Sequence, residues 1–199
     1  MALSGNSKSQ ESKLDKFKKL HWPEKFWIIS HPFIAAKVLR ITQRVQEIAR
    51  QMENDPMLDG DGNGGQVDAF RHAFWMASLS QKINWKKVFK LGIAHEKGNK
   101  VDYDKKLLED GSLPDSVACA MDLRNNDTGI CLGYHNKDKN ENELIELVKQ
   151  AVISGQLWII KKNKKGEFLS SDNQVLKKED YIGKWKNKKC LVISNFKIQ

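Results

Sequence analysis

The sequence predicts a mainly α fold, a compact helical domain with a small C-terminal antiparallel β-sheet. Two observations carry that expectation. Apolar residues recur at helical spacing in successive stretches between Pro32 and Ile153, each bounded by a proline, a glycine or a capping residue. After Gly155 the period changes to short apolar runs separated by a polar, glycine-containing turn.

The bulk composition agrees. A chain of 199 residues with 40% hydrophobic and 30% charged residues supports one domain with a real core and excludes wholesale disorder. No apolar run reaches the length of a membrane span. The opening stretch, residues 1–16, is polar and lacks the apolar region of a general secretory signal peptide. Synthesis in the cytoplasm is expected, with any export through a specialised secretion system. Cys119, Cys131 and Cys190 are odd in number and form no CxxC pair, so neither a disulfide framework nor a thiolate zinc site is expected. The net charge of +9 is concentrated at the two ends. Lysine-rich ends suit an anionic substrate, a membrane surface or nucleic acid, or are simply solvated.

Element by element, residues 1–30 read as a basic, amphipathic N-terminal segment. A frayed tail leads into a short helix marked by Leu14, Phe17, Lys18 and Leu20, which Trp22-Pro23 breaks. Residues 31–199 read as the single helical domain. Its first helix follows His31-Pro32 and ends near Met52, with Phe33, Ala36, Leu39, Val45, Ile48 and Ala49 on its apolar stripe. Asp55-Pro56 closes it. The next helix spans Gln66 to Lys82, with Phe70, Ala73, Phe74 and Ala77 inward, and a third spans Trp85 to Lys97. A linker over 98–111 leads to Ser112, an N-cap with Pro114 in the first turn and Asp115 near the positive end of the helix dipole. That helix runs to Asn126 or on towards Cys131. Glu141 to Ile153 forms the last long helix, stopped by Gly155. Residues 157–160 and 167–169 form a hairpin within about 156–199, and Cys190 to Ile198 supplies a third strand.

Three short motifs put polar residues where helices bury apolar ones. In Asp68-Ala-Phe-Arg71-His72-Ala-Phe-Trp75, Asp68 and His72 lie four apart on a face with large apolar neighbours. Gly92-Ile-Ala-His95-Glu96 places a histidine beside a carboxylate at the end of an apolar helix. Met121-Asp122-Leu-Arg124-Asn125-Asn126 again sets two oxygen-bearing side chains four apart. Buried carboxylates require pairing or a metal. Two solutions stay open: a shared hydrogen-bond network, or a divalent ion (zinc, manganese, magnesium or calcium) held by His72, His95, Glu96, Asp122 and Asp68. Asp59, Asp61 and Asn63, followed by Gly64, match the first half of a calcium loop, but Phe70 stands where its closing glutamate belongs. The loop is thus a helix-capping turn or a second, calcium-binding site.

The ordered set Asn63-Gly64 with Asp68 to Trp75, then Ala94-His95-Glu96, then Ala120 to Gly129 resembles a bacterial domain family found at the C-terminal ends of polymorphic toxins and as stand-alone effectors. The likeness covers about residues 30 to 170. Cys131, His135 and the lysine-rich extension past Lys177 depart from the pattern without touching the motifs. The resemblance implies interbacterial competition and a cognate immunity protein as partner. It maps the shared pattern onto Asp68, Arg71, His72, His95, Glu96, Asp122, Asn125 and Asn126.

The expected function is therefore an antibacterial effector acting as a metal-dependent hydrolase, with Asp68, Arg71, His72, His95, Glu96, Asp122 and Asn126 as catalytic candidates. A phosphoester suits the basic surface and Arg71 or Arg124, and a lipid-linked envelope substrate suits the aromatic stretch from Phe17 to Ile29. A nuclease fits the charge equally well. The non-enzymatic alternative is a membrane-perturbing or binding module with a structural polar network.

Overall fold

In the computed structural model, which describes residues 17–108 and 111–197, the chain runs through α1 (Trp22–Ser30), α2 (Pro32–Met52), α3 (Gln66–Lys82), α4 (Trp85–Lys105), α5 (Ser116–His135), α6 (Glu141–Ile153), β1 (Trp158–Ile160), α7 (Lys178–Tyr181) and β2 (Leu191–Ile193). The fold is mainly helical with a small antiparallel sheet. α3 is its axis. Apolar on nearly every side, it buries Val67, Ala69, Phe70, Ala73, Phe74, Met76, Ala77 and Leu79 and takes contacts from α2, α4, α5, α6 and β1. One core cluster joins Phe70 and Phe74 to Val45, Ile48, Leu144, Val148 and Val152. A second joins Met76 and Leu79 to Trp27, Val38, Val88 and Leu91.

Several boundaries differ from the sequence reading. Trp22-Pro23 not only follows the end of the helical residues 17–19 but starts a new helix: Pro23 occupies the first turn, and Glu24 reaches back to accept the His21 N–H at 3.2 Å. Trp27 then anchors α1, buried with its indole N–H donating to the Lys87 carbonyl at 3.0 Å. Leu14 lies outside the described residues. On α2 the expected Val45, Ile48 and Ala49 are buried, whereas the first half of the stripe runs through Ile34, Val38 and Ile41 in place of Phe33, Ala36 and Leu39. Phe33 is 99% exposed. α4 continues to Lys105 because Gly98 lets α1 approach: a Cβ there would stand 3.3 Å from the His21 ring. His21 also pairs with Asp102 at 2.8 Å, so the expected linker is largely helix. α5 is capped by Asp115, not Ser112. The Asp115 carboxylate accepts from the N–H groups of Val117 and Ala118 at 2.8 and 3.1 Å.

The hairpin expected after Gly155 forms a few residues further on, between 161–163 and 167–169, and the strand before it takes a longer-range partner. β1 pairs with β2, Trp158 opposite Ile193 and Ile160 opposite Leu191. Residues 167–169 keep only isolated bridges, Lys162 with Phe168 and Leu169 with Val175. There the Leu169 N–H donates to the Lys161 carbonyl and the Asn163 N–H to the Glu167 carbonyl, each at 3.0 Å, and the buried Lys161 ammonium donates to the Ser170 and Ser171 carbonyls, each at 3.1 Å. Two bonds seat β1 on the helices. The fully buried Asn125 exchanges hydrogen bonds with the Trp158 backbone at 2.9 and 2.8 Å, and the Ile160 N–H donates to the Gly64 carbonyl at 2.8 Å.

A charged tie joins the end of α2 to α6. Asp55 accepts from the Met57 N–H at 2.8 Å and from the Lys149 ammonium at 3.2 Å. The backbone donor first, then the lysine, hold its carboxyl below the ordinary 3.8. A carboxylate depressed in the folded state contributes stability above its unfolded pKa and loses it as pH falls through the folded value. Asp55→Asn is therefore expected to lower the melting temperature at neutral pH. The gap from wild type should close in melts recorded progressively below pH 3.8.

Candidate metal centre

α3 and α5 cross in close contact because small residues face one another. A Cβ on Gly129 would lie 2.2 Å from the Ala73 carbonyl oxygen, and one on Gly133 2.1 Å from that of Ala77. The crossing sets Asp68 and His72 of α3 against Asp122 and Asn126 of α5, all four buried.

The His72 Nε2 stands 3.5 Å from Asp68 Oδ1 and 3.5 Å from Asp122 Oδ1. Hydrogen bonds run to about 3.2 Å, so neither contact is a good one. By contrast, donors on a metal with bonds of about 2.1 Å in tetrahedral array lie about 3.4 Å apart. One ligand atom from each of Asp68, His72 and Asp122 falls within 4.8 Å of the others, and among the described residues this is the group that could hold a metal ion. The other Asp68 oxygen is fixed by the Gly64 N–H at 2.7 Å. Gly64 can serve this way because its φ is +83° and its open α-carbon lets Ile160 pack on it: a Cβ would meet that side chain at 2.9 Å.

The surroundings favour a neutral His72. Burial first, then the charges of Arg71 and His95, push its pKa well below the usual 6.5, which leaves a lone pair to offer. Asn126 approaches the ring without a well-formed bond: neither its Nδ2 nor its Oδ1, nor the ring Nδ1, has a partner in hydrogen-bonding geometry. Such groups cluster at working sites. Arg71 bridges the mouth, its Nη2 2.6 Å from Asp68 Oδ1 and 3.4 Å from His72 Nε2.

A second couple lies beside the first. His95 Nδ1 meets Glu24 Oε1 at 3.1 Å, and the His95 ring sits 5.3 Å from Trp75, edge-on, and 6.3 Å from His72. His72 and the Glu24–His95 couple border one cavity of about 560 Å³, whose lining also includes Leu20, Arg50, Arg71 and Trp75.

The structure thus brings together Asp68, Arg71, His72, Asp122 and Asn126, with His95 at the cavity wall. Glu96 stands apart from the three converging ligands; it is buried and accepts from the Asn99 amide at 3.2 Å. Asn125 serves the sheet. The carboxylates of Asp59 and Asp61 close turns, accepting from the N–H groups of Asp61, Gln66 and Asn63, and Asp61 is also paired with Lys162. The Asn63 amide donates to Ser112 at 2.9 Å. Arg124 stacks on Trp158 at 4.4 Å, away from the cavity. Sequence reasoning missed Glu24, Arg50 and the His21 cap. Proline followed by glutamate in a helix-start pattern was the available signal for Glu24.

A helical domain built around a buried His–carboxylate cluster is the class that fold and site define. Residues 25–156 match the family described as Domain of unknown function (DUF6973), and the chain belongs to it. No curated protein and no solved structure matches the chain.

Proposed function

We propose that the domain is a divalent-metal-dependent hydrolase of a phosphoester, and the observation that carries this reading is the spacing of Asp68, His72 and Asp122. One imidazole nitrogen and two carboxylate oxygens suit zinc or manganese better than the oxygen-rich cage calcium prefers. A divalent ion supplies Lewis acidity towards an anionic oxygen and a nucleophile at neutral pH. Arg71 and Arg50, on the cavity wall, would hold and orient the anionic group. Glu24 holds the His95 ring through Nδ1 and favours its protonated form, from which Nε2 would pass a proton to the leaving oxygen. The motif resemblance supports an antibacterial effector context, with export into target cells and an immunity protein as partner.

The Arg71–Asp68 ion pair favours a second reading, in which the cluster is a self-satisfied structural network. An assay of nitrophenyl phosphodiester and phosphomonoester cleavage separates the two. Turnover is expected to vanish on chelation and to return with zinc or manganese. Glu24→Gln should slow it about 10–100-fold, the usual cost of losing a histidine-orienting carboxylate. A folded chain that cleaves neither ester with any divalent ion would overturn the hydrolase reading.

A further inference from the structure

On α1, Trp22, Phe26 and Ile29 are each 67% exposed, and at spacing i, i+4, i+7 they occupy one side of the helix. Phe33, 99% exposed at the start of α2, adds a further exposed aromatic just beyond the helix. The opposite side of α1 carries Trp27 into the core and Glu24 to His95. The ridge is therefore not spare core surface, since α1 is already fully engaged through its other face. Large aromatics at such exposure are costly on a surface that only meets water.

Along the described chain on either side of the ridge the charges are nearly all of one sign. Lys18 and Lys19 are exposed just ahead of it, Lys25 lies on its flank with its ammonium 2.8 Å from the Lys18 carbonyl, and Lys37 and Arg40 follow Phe33 along α2. Among the described residues from 17 to 40 the one acid is Glu24, and it is turned to His95. Aromatic and branched side chains on a convex ridge, edged by lysines, are the pattern of a helix lying in a membrane interface. The apolar tips enter the acyl boundary while the ammonium groups reach lipid phosphates. No helix among the described residues is long and apolar enough to cross a membrane, so the contact would be peripheral.

We propose that the ridge of Trp22, Phe26 and Ile29, with Phe33 just beyond the helix, docks the domain on the surface of an anionic phospholipid bilayer. The inference is independent of the reaction proposed above, and it gives that reaction a location. α1 is shared between ridge and cavity, so a docked domain holds the Glu24–His95 couple close to the headgroup layer.

Vesicle cosedimentation of the full chain tests this. With phosphatidylcholine vesicles doped with phosphatidylglycerol, partitioning is expected to exceed that on pure phosphatidylcholine by at least roughly tenfold, and to weaken with added salt. The triple variant Trp22→Ser, Phe26→Ser, Phe33→Ser should lose at least about tenfold in partitioning. Its melting temperature should be unchanged, because these side chains lie outside the core. Lys18→Glu with Lys25→Glu should abolish the preference for anionic vesicles. Trp22→Phe keeps an apolar ridge and removes one indole. The fluorescence difference from wild type should therefore show a blue shift on vesicle addition. Equal binding by the triple variant, no binding at low salt, or self-association through the ridge without vesicle binding would each overturn the proposal.

Discussion

Removing the His72 imidazole is expected to eliminate both ion-dependent turnover and the part of the melting temperature that responds to chelator. The reason is linkage. An ion that binds only the folded chain stabilises it by about 2.7 kcal/mol at a hundredfold excess over its Kd, which for a domain of this size is roughly 5–11 °C. Chelation of wild type should lower the melting temperature by that amount, and His72→Ala or Asp122→Asn should be insensitive to it. Loss of the ion's electrostatic contribution should reduce turnover on the order of 10³-fold or more. A structural network predicts the opposite pattern: no response to chelator in wild type, yet a large loss from either substitution, because a buried carboxylate is left without its partner. Differential scanning calorimetry with and without chelator distinguishes the two.

The second large effect is on the fold itself. Gly129→Ala places a methyl group where only 2.2 Å separates it from the Ala73 carbonyl oxygen. Alanine gains about 1 kcal/mol of helix propensity over glycine, but the clash is with backbone, and neither helix can turn a side chain aside. A net loss of about 3 kcal/mol is expected, or roughly 6–12 °C in melting temperature. Because the crossing also sets the distance from His72 to Asp122, the same variant should weaken the response to metal. Full stability with an intact metal response in Gly129→Ala would show that α3 and α5 do not meet this closely.

The limits of α2, α3 and α6 were legible from periodicity and punctuation, since prolines, glycines and asparagine caps act within a few residues of the helix they bound. The Asp68, His72, Asp122 and Asn126 positions were legible for a related reason: polar residues four apart amid large apolar neighbours are rare unless buried. The illegible features depend on distant partners. Proline at Trp22-Pro23 reads as a stop or a start according to the residues on its C-terminal side, and Glu24 gains meaning only from His95 on α4. The local hairpin was legible from its turn but sits at 161–169, because β1 is taken up by residues 191–193 and by the seat that Asn125 offers, both distant in sequence. Gly129 and Gly133 look like helix-weakening residues until the backbone of α3 is placed against them.

The bond from the Ile160 N–H to the Gly64 carbonyl has a consequence for the order in which the chain can be finished. Gly64 also supplies the N–H that fixes Asp68, so the loop orienting this ligand is itself clamped by a strand from much later in the sequence. The family match ends at residue 156, before that strand begins. On a ribosome, the helices can collapse around Phe70 and Phe74 while the clamp is still unsynthesised. Contacts so far apart in sequence are the slow ones to form. The cluster at Asp68 is therefore among the last parts of the molecule to reach its final geometry, and a nascent chain carries it unfinished until β1 is seated.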